Sequence, residues 1–166
     1  MLEPSRFWVE RTVRPVYKVK QDEQALSATL VQAPSTPVIL PGCIAGESLL
    51  SQIIVDKFLY HLPEYRQAKR FKELGVEIST SSINRWVHAM ADKLYGLYAA
   101  QMERVLSASY IQVDETTHSI TDRPGSARKG YIWVVRSVLV PGVFFYYDKG
   151  SRSGEVVLKM LKGYQG

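Results

Sequence analysis

The stretch Ser109-Tyr-Ile-Gln-Val-Asp-Glu-Thr-Thr-His118 decides the fold class that the sequence predicts. Tyr110, Ile111 and Val113 favour a β-strand, because aromatic and β-branched side chains suit a pleated surface. The polar run that begins at Asp114 ends this apolar pattern. We therefore expect a strand that carries a carboxylate near its exit.

Two further β-rich runs follow this strand, Tyr131 to Val140 and Val143 to Tyr147. The pair Pro141-Gly142 joins them, as is typical of a tight reversal. The segment Thr121 to Gly130 is predicted to be a flexible, basic loop between the first two strands. From Ser151 to Lys162 the apolar residues return at helical spacing. Three strands and a helix are therefore expected in this half of the chain.

The bulk composition is that of a globular chain with a mild excess of basic residues. Of its 166 residues, 46% are hydrophobic and 22% charged, and the formal charge is +5. This balance permits a nucleic-acid partner but does not require one. The single cysteine, Cys43, excludes an internal disulfide and favours a reducing, cytoplasmic setting. No apolar run is long enough for a membrane helix and no signal pattern is present, so no membrane partner is expected.

The N-terminal part of the chain divides into two segments. Residues 1–22 are predicted to be β-rich, and their basic character fits either a solvated hairpin face or an arm that contacts phosphates. Residues 23–46 contain Pro34, Pro37 and Pro41 and show little periodicity. This second segment is predicted to be a linker.

Residues 47–107 are predicted to be helical. A first helix runs from Glu47 to about Tyr60, and a second begins at Pro63 and ends at Gly75, a residue typical of a helix C-cap. A third helix is marked by apolar residues at spacings of three and four: Ile83, Trp86, Val87, Met90 and Leu94. Its expected N-cap is one of three hydroxyl residues: Ser79, Thr80 or Ser81.

The second and third predicted helices resemble a helix-turn-helix DNA-binding unit, because a polar turn leads into Ser81-Ser-Ile-Asn-Arg-Trp86. Polar residues at the front of the third helix and basic residues of the second are the candidate DNA contacts. They are Arg66, Lys69, Arg70, Ser82, Asn84 and Arg85. The turn after Gly75 is longer than is usual for this unit. The alternative is two amphipathic helices that pack together without contacting DNA.

Asp114 is the candidate catalytic residue and the candidate metal ligand. Two-metal nucleases use converging acids to hold divalent cations against a phosphodiester, and an acid on a strand suits this purpose. The alternative is an acid that caps a strand or a turn. Glu115 is expected on the opposite face of the strand. His61 and His88 have no second ligand at metal spacing, so both are expected to be structural.

Several short motifs occur in one order along roughly residues 10–166, and together they resemble bacterial transposases of the insertion-sequence sixty-six family. The motifs are Leu62-Pro-Glu-Tyr-Arg-Gln67, Gly75-Val-Glu-Ile-Ser79, Trp86-Val87, Val113-Asp-Glu-Thr116, Gly130-Tyr-Ile-Trp-Val134, Ser151-Arg-Ser-Gly-Glu155 and Gly163-Tyr-Gln-Gly166. Each motif alone is unspecific, and the combination carries the resemblance.

This resemblance implies that residues 47–107 bind DNA at the terminal inverted repeats of a transposon. It implies that residues 108–166 begin an RNase H-like core with a DDE triad of acids that uses Mg²⁺ or Mn²⁺. The resemblance makes Asp114 the first acid of that triad and places the other two beyond Gly166. The family's Cys-x-x-Cys pair falls on Val19 and Asp22. The resemblance therefore implies that residues 1–22 are a remnant of a zinc-finger-like segment, and zinc is not expected.

The sequence therefore predicts an α+β chain that is a portion of a DDE transposase, with DNA-binding helices and one catalytic acid. Such a chain is expected to be inactive alone, because one carboxylate does not assemble two metal ions. The alternative is a truncated, non-catalytic DNA-binding or regulatory product of a transposable element. A third alternative is a decayed remnant with no function, whose incomplete sheet would leave an unpaired strand edge and exposed apolar surface and so predicts self-association or poor solubility.

Overall fold

A computed structural model of the chain describes residues 6–18, 30–123 and 125–166. Over these residues the fold is α+β, as predicted, with four helices and two antiparallel sheets. The chain divides into two compact units, Met1–Ala91 and Asp92–Gly166. The division lies within a helix, whereas the sequence analysis placed a boundary after residue 107. No helix in the described part of the chain combines the length and apolarity that a membrane crossing requires.

The first unit contains a short two-stranded sheet. Strand β1 (Val16–Lys18) pairs antiparallel with β2 (Leu30–Gln32), and both strands are exposed. Strand β2 lies within the segment 23–46 that was assigned to a linker. Val19 and Asp22, on which the expectation about zinc depends, lie outside the described residues.

Three helices follow, at the positions that the periodicity predicts. Helix α1 spans Glu47–Phe58 and helix α2 spans Glu64–Glu73, with Pro63 as the N-cap of α2. Gly75 has a φ of +86°, which confirms that a residue tolerant of the left-handed region ends α2. Helix α3 spans Thr80–Leu106, and the hydroxyl of Ser79 accepts a hydrogen bond from the backbone N–H of Ser82 at 3.1 Å.

The core of the first unit is formed by the apolar faces of these helices. Its fully buried residues include Leu50, Ile53, Phe71 and Ile83. Phe7 packs against this core, with its ring edge-on to that of Phe71 at 5.4 Å between centroids. The buried faces leave Arg66 and Lys69 of α2 and Asn84 and Arg85 of α3 exposed.

The second unit contains a three-stranded antiparallel sheet in the order β3-β4-β5, with β3 at Ile111–Arg123, β4 at Ser126–Ser137 and β5 at Val143–Tyr146. Asp114 is therefore the fourth residue of a 13-residue strand. The prediction that Asp114 lies near the exit of this strand was wrong. The predicted loop 121–130 is also wrong in most of its length, because its residues pair across the β3–β4 hairpin as far as Arg123 and Ser126.

One face of this sheet is packed and the other is open. On the packed face Val135 and Phe144 are buried together with Val105 from the C-terminal half of α3. Helix α4 (Gly154–Met160) adds Val156 and Met160 to the same core. Side chains alternate between the two faces of a strand. The register therefore places Asp114, Val134 and Phe145 in one row on the opposite face, which we call the open face.

The connection between β5 and α4 is attached to strand β4 at two points. Gly150 has a φ of +73° and lies against Gly130 of β4, where an added Cβ atom would stand 3.0 Å from the Cα of Gly130. The indole N–H of Trp133 donates a hydrogen bond to the carbonyl oxygen of Ser151 at 3.2 Å. These contacts fix the loop from which α4 begins.

Candidate DNA interface and catalytic carboxylate

Asn84 and Glu64 join the third helix to the second. The side-chain amide of Asn84 donates hydrogen bonds to both carboxylate oxygens of Glu64, at 3.2 and 3.1 Å. Lys57 of α1 forms an ion pair with the same carboxylate at 2.8 Å. Burial by itself would raise the pKa of Glu64, but hydrogen bonds from Lys57 and Asn84 hold that pKa below its ordinary value. Asn84 therefore supports the helix packing.

Arg70 has a partner inside the first unit. It forms an ion pair with Asp56 of α1, whose side chain is only 4% exposed, while the side chain of Arg70 is 41% exposed. The side-chain amide of Gln52 donates a second hydrogen bond to Asp56, at 2.8 Å. A buried carboxylate without a positive partner is costly. Arg70 thus stabilises the contact between α1 and α2.

The other candidate DNA contacts have more freedom. Arg85 is exposed near the start of α3. Lys69 is 79% exposed and has only a 4.0 Å ion pair with Glu73. Arg66 is exposed and rests on the ring of Tyr65. Ser82, which is half-buried, accepts a hydrogen bond from the hydroxyl of Ser79 at 2.9 Å.

An open concave surface lies beside the start of α3. It has a volume of about 550 Å³ and is lined by residues of α2, of the α2–α3 connection and of the α3 N-terminus: Ala68, Lys69, Lys72, Glu77, Ile78, Ser79 and Thr80. Two lysines and two hydroxyl side chains line it, together with the carboxylate of Glu77, which lies 3.5 Å from Lys72. The positive end of the α3 dipole also favours a phosphate over a cation at this position.

Asp114 is exposed on the open face of the sheet. One of its carboxylate oxygens accepts a hydrogen bond from the backbone N–H of Glu115 at 2.9 Å. Across the strand pair its partner is Val134. Carboxylate oxygens are the donors that Mg²⁺ and Mn²⁺ prefer. Asp114 therefore has the chemistry and the access of a metal ligand.

Glu115 is held on the packed side of β3 by a residue that the sequence analysis did not single out. Arg152 donates from Nε to Glu115 at 2.7 Å, and its Nη2 lies 2.5 Å from the same oxygen. The guanidinium also lies over the ring of Tyr131. The hydrogen bond and the charge of Glu115 raise the pKa of Arg152 above its ordinary value. The sequence offered one indication that Arg152 matters, because it lies in the motif Ser151-Arg-Ser-Gly-Glu155 that contributes to the family resemblance.

The described residues supply one carboxylate at this position and no more. No group of three or more histidine, cysteine, aspartate or glutamate residues in the described ranges is arranged to hold a metal ion. Asp114 fits a divalent cation as a single ligand, while Glu115 is engaged with Arg152. A complete site would need further ligands.

Comparison with known proteins identifies the family. A model of the Transposase IS66 family matches residues 42–166, a range that includes all four helices, the three-stranded sheet and Asp114. The chain belongs to the Transposase IS66 family. The family expected from the short motifs is therefore confirmed.

Curated relatives occur in Sinorhizobium fredii. The uncharacterized protein y4hP is 33% identical over 98% of this chain, and the uncharacterized protein y4jD is 32% identical over 75% of it. The matched regions make up 30% and 24% of these two proteins. The chain thus spans less than a third of the length of either of these relatives.

Proposed function

We propose that this chain is the part of a DDE transposase that binds DNA through α2 and α3 and carries Asp114 as the first catalytic acid. The whole protein would cut and join DNA at the terminal inverted repeats of a transposon, in the bacterial cytoplasm. The observation that carries this proposal is the match to the Transposase IS66 family, which covers both the helices and the sheet.

The topology of the second unit supports an RNase H-like core. Three antiparallel strands in sequential order are followed by a helix that packs on the sheet, which is the expected beginning of that fold. Among the described strands, β3 pairs only with β4, so its outer edge is open. Gly166 lies near the start of this edge, since an added Cβ atom there would stand 2.5 Å from the carbonyl oxygen of Ser109. A further strand that followed Gly166 would begin beside β3.

In this proposal the residues of the second unit have separate tasks. Asp114 would be one ligand of a Mg²⁺ or Mn²⁺ ion, which supplies charge stabilisation for phosphoryl transfer when it is bound. Arg152 holds Glu115 on the packed side. Of these two adjacent acids, only Asp114 faces the open side. The hydrogen bond from the N–H of Glu115 orients the Asp114 carboxylate.

DNA binding in the first unit is assigned to Arg85, Lys69 and Arg66, with Ser82 beside them at the front of α3. Asn84 and Arg70 would contribute chiefly by holding the helices together, because Glu64 and Asp56 engage them. We expect Arg85→Ala to weaken binding of duplex DNA about three- to tenfold. It should also lower the slope of log affinity against log salt by about one, the value for one lost phosphate contact.

Fluorescence anisotropy with labelled duplex DNA at several salt concentrations measures both quantities. The matched control is Arg104→Ala, which removes the same charge from an exposed position near the other end of α3. An unchanged affinity for Arg85→Ala, or an equal loss for both variants, would contradict the assignment.

The second candidate function is a non-catalytic DNA-binding product of a transposable element. It is favoured by the finding that the described residues contain no group of three or more histidine, cysteine, aspartate or glutamate side chains that could hold a metal ion. Both candidates predict salt-dependent DNA binding without cleavage by this chain. They differ in the role of Asp114. Mn²⁺ should broaden the backbone amide resonances around Asp114, and Asp114→Asn should abolish this broadening, only if the acid is a metal ligand.

A further inference from the structure

The β3–β4 hairpin is much longer than the sheet to which it belongs. Strand β5 pairs with only four residues of β4, Trp133 to Arg136. The pairing of β3 with β4 continues past this point, from Thr116 and Ile132 to Arg123 and Ser126. The last part of the hairpin is therefore a two-stranded ribbon. We call residues 117–123 and 125–130 the ribbon.

The base of the ribbon is anchored and its outer part is exposed. The side chain of Ile120 covers Gly130, and Gly150 lies against both. Beyond this contact Thr121 and residues 125–129 are exposed. An isolated two-stranded hairpin is only marginally stable in water. The outer part adds little buried apolar surface, so packing does not explain its length.

The ribbon carries positive charge on both of its faces. Between residues 117 and 130 the basic residues are Arg123, Arg128 and Lys129, and the only acid is Asp122. Successive side chains of a strand point to opposite faces, so Arg128 and Lys129 lie on different sides of the ribbon. In the register of the ribbon, Arg128 stands opposite Ile120 and Lys129 opposite Ser119.

Hydroxyl groups and a further lysine accompany these charges. A shallow concave surface of about 290 Å³ is lined by residues from both strands of the ribbon: Thr117, His118, Ser119, Ala127, Arg128 and Lys129. Arg128 donates a hydrogen bond to the carbonyl oxygen of Lys149 at 3.3 Å, which brings the β5–α4 loop to the same place. Lys149 is exposed there. Cations and hydroxyl donors together suit phosphate oxygens.

We propose that the ribbon enters a groove of duplex DNA and contacts the phosphates that flank it. The major groove is about 12 Å wide and admits a two-stranded β-ribbon, with a phosphate backbone on each side. A ribbon with basic residues on both faces can contact both phosphate backbones of the groove. A ribbon with basic residues on one face would contact the phosphates on one side only. The inference rests on the proposed function, because it assigns a second contact to the same DNA.

The position of the ribbon gives the contact a defined relation to Asp114. Ser119 and Asp114 lie on the same strand and are five residues apart. Ser119 pairs with Lys129, so at about 3.4 Å per residue this ribbon cation lies about 17 Å along the strand from Asp114. This distance corresponds to about five base pairs of B-form DNA. The ribbon would therefore hold the duplex beside the proposed cleavage position.

The test compares two double variants by fluorescence anisotropy with a mixed-sequence DNA duplex of about 30 base pairs, between about 50 and 200 mM salt. Arg128→Ala with Lys129→Ala should weaken binding about tenfold and lower the salt slope by about two. The control is Lys93→Ala with Lys162→Ala, which removes the same charge from exposed positions of the second unit outside the ribbon. The control should change affinity less than threefold.

A second measurement does not depend on how the variants fold. Titration of the unmodified chain with the same duplex should shift the backbone amide resonances of residues 117–130 more than those of α4. Equal losses of affinity in the two double variants, or no shift in the ribbon, would overturn the inference. If the unmodified chain binds no DNA, the proposed function fails with it. If Arg85→Ala weakens binding and the ribbon variant does not, only the ribbon inference fails.

Discussion

At the scale of single residues, Glu64 joins three helices through one carboxylate, which is 12% exposed and bound by Lys57 and Asn84. The pKa of Glu64 is lowered from 4.5 in the folded chain, so the ionised carboxylate stabilises the fold. This contribution is fully present above the pKa of Glu64 in the unfolded chain, and it is lost as pH falls through the pKa in the folded chain. We expect Glu64→Gln to lower the free energy of unfolding by about 1 kcal/mol at neutral pH. The difference should shrink as pH falls through the folded pKa of Glu64, because the protonated carboxyl is neutral like the glutamine amide.

Chemical denaturation at neutral and acidic pH measures this effect, with Glu73→Gln as the control. Glu73 is 66% exposed and 4.0 Å from Lys69, so its loss should change stability little at either pH. A difference that persists in acid would contradict the role of the Glu64 charge. The sequence singled out Asp114 and Arg85 as candidates, and both side chains are exposed. The partners of Arg70 and Glu115 were not, because they lie 14 and 37 residues away in sequence.

At the scale of elements, the loop between β5 and α4 determines where α4 begins. Gly150 combines a left-handed backbone with a close approach to Gly130, and both conditions oppose a Cβ atom. We expect Gly150→Ala to lower the free energy of unfolding by about 1–3 kcal/mol. Gly154→Ala is the matched control, because its φ is not in the left-handed region and nothing lies within 4 Å of an added Cβ atom. Thermal or denaturant unfolding of both variants measures the difference, and equal effects would contradict the argument.

Helices were easier to predict than the hairpin for a physical reason. The three helices of residues 47–106 bury one apolar face each, so their spacing of three and four residues is visible in the sequence. The outer β3–β4 ribbon is solvated, so it lacks the alternation that marks a half-buried strand. Its pairing depends on contacts between strands that no local pattern records. The sequence therefore predicted that Asp114 lies on a strand, but not its position within that strand.

At the scale of the whole molecule, the second unit leaves apolar surface and strand edge exposed. On the open face Phe145 is 58% exposed and Val143 is 42% exposed, and β3 has no partner on its outer edge among the described strands. Such surfaces favour association. We expect the purified chain to self-associate at micromolar concentrations, and Phe145→Lys to shift it towards the monomer. Sedimentation velocity over a range of protein concentrations measures the distribution.

The control for this experiment is Leu158→Lys, because Leu158 is 76% exposed on α4 and lies away from the open face. A single exposed leucine is common on monomeric proteins, so this change should leave the distribution as it is. If both lysine variants become monomeric, added charge and not the open face explains the effect. If the unmodified chain is a monomer at every concentration, the open face does not drive association. The open face would then be compatible with a soluble monomer, and a longer relative would not need further residues to cover it.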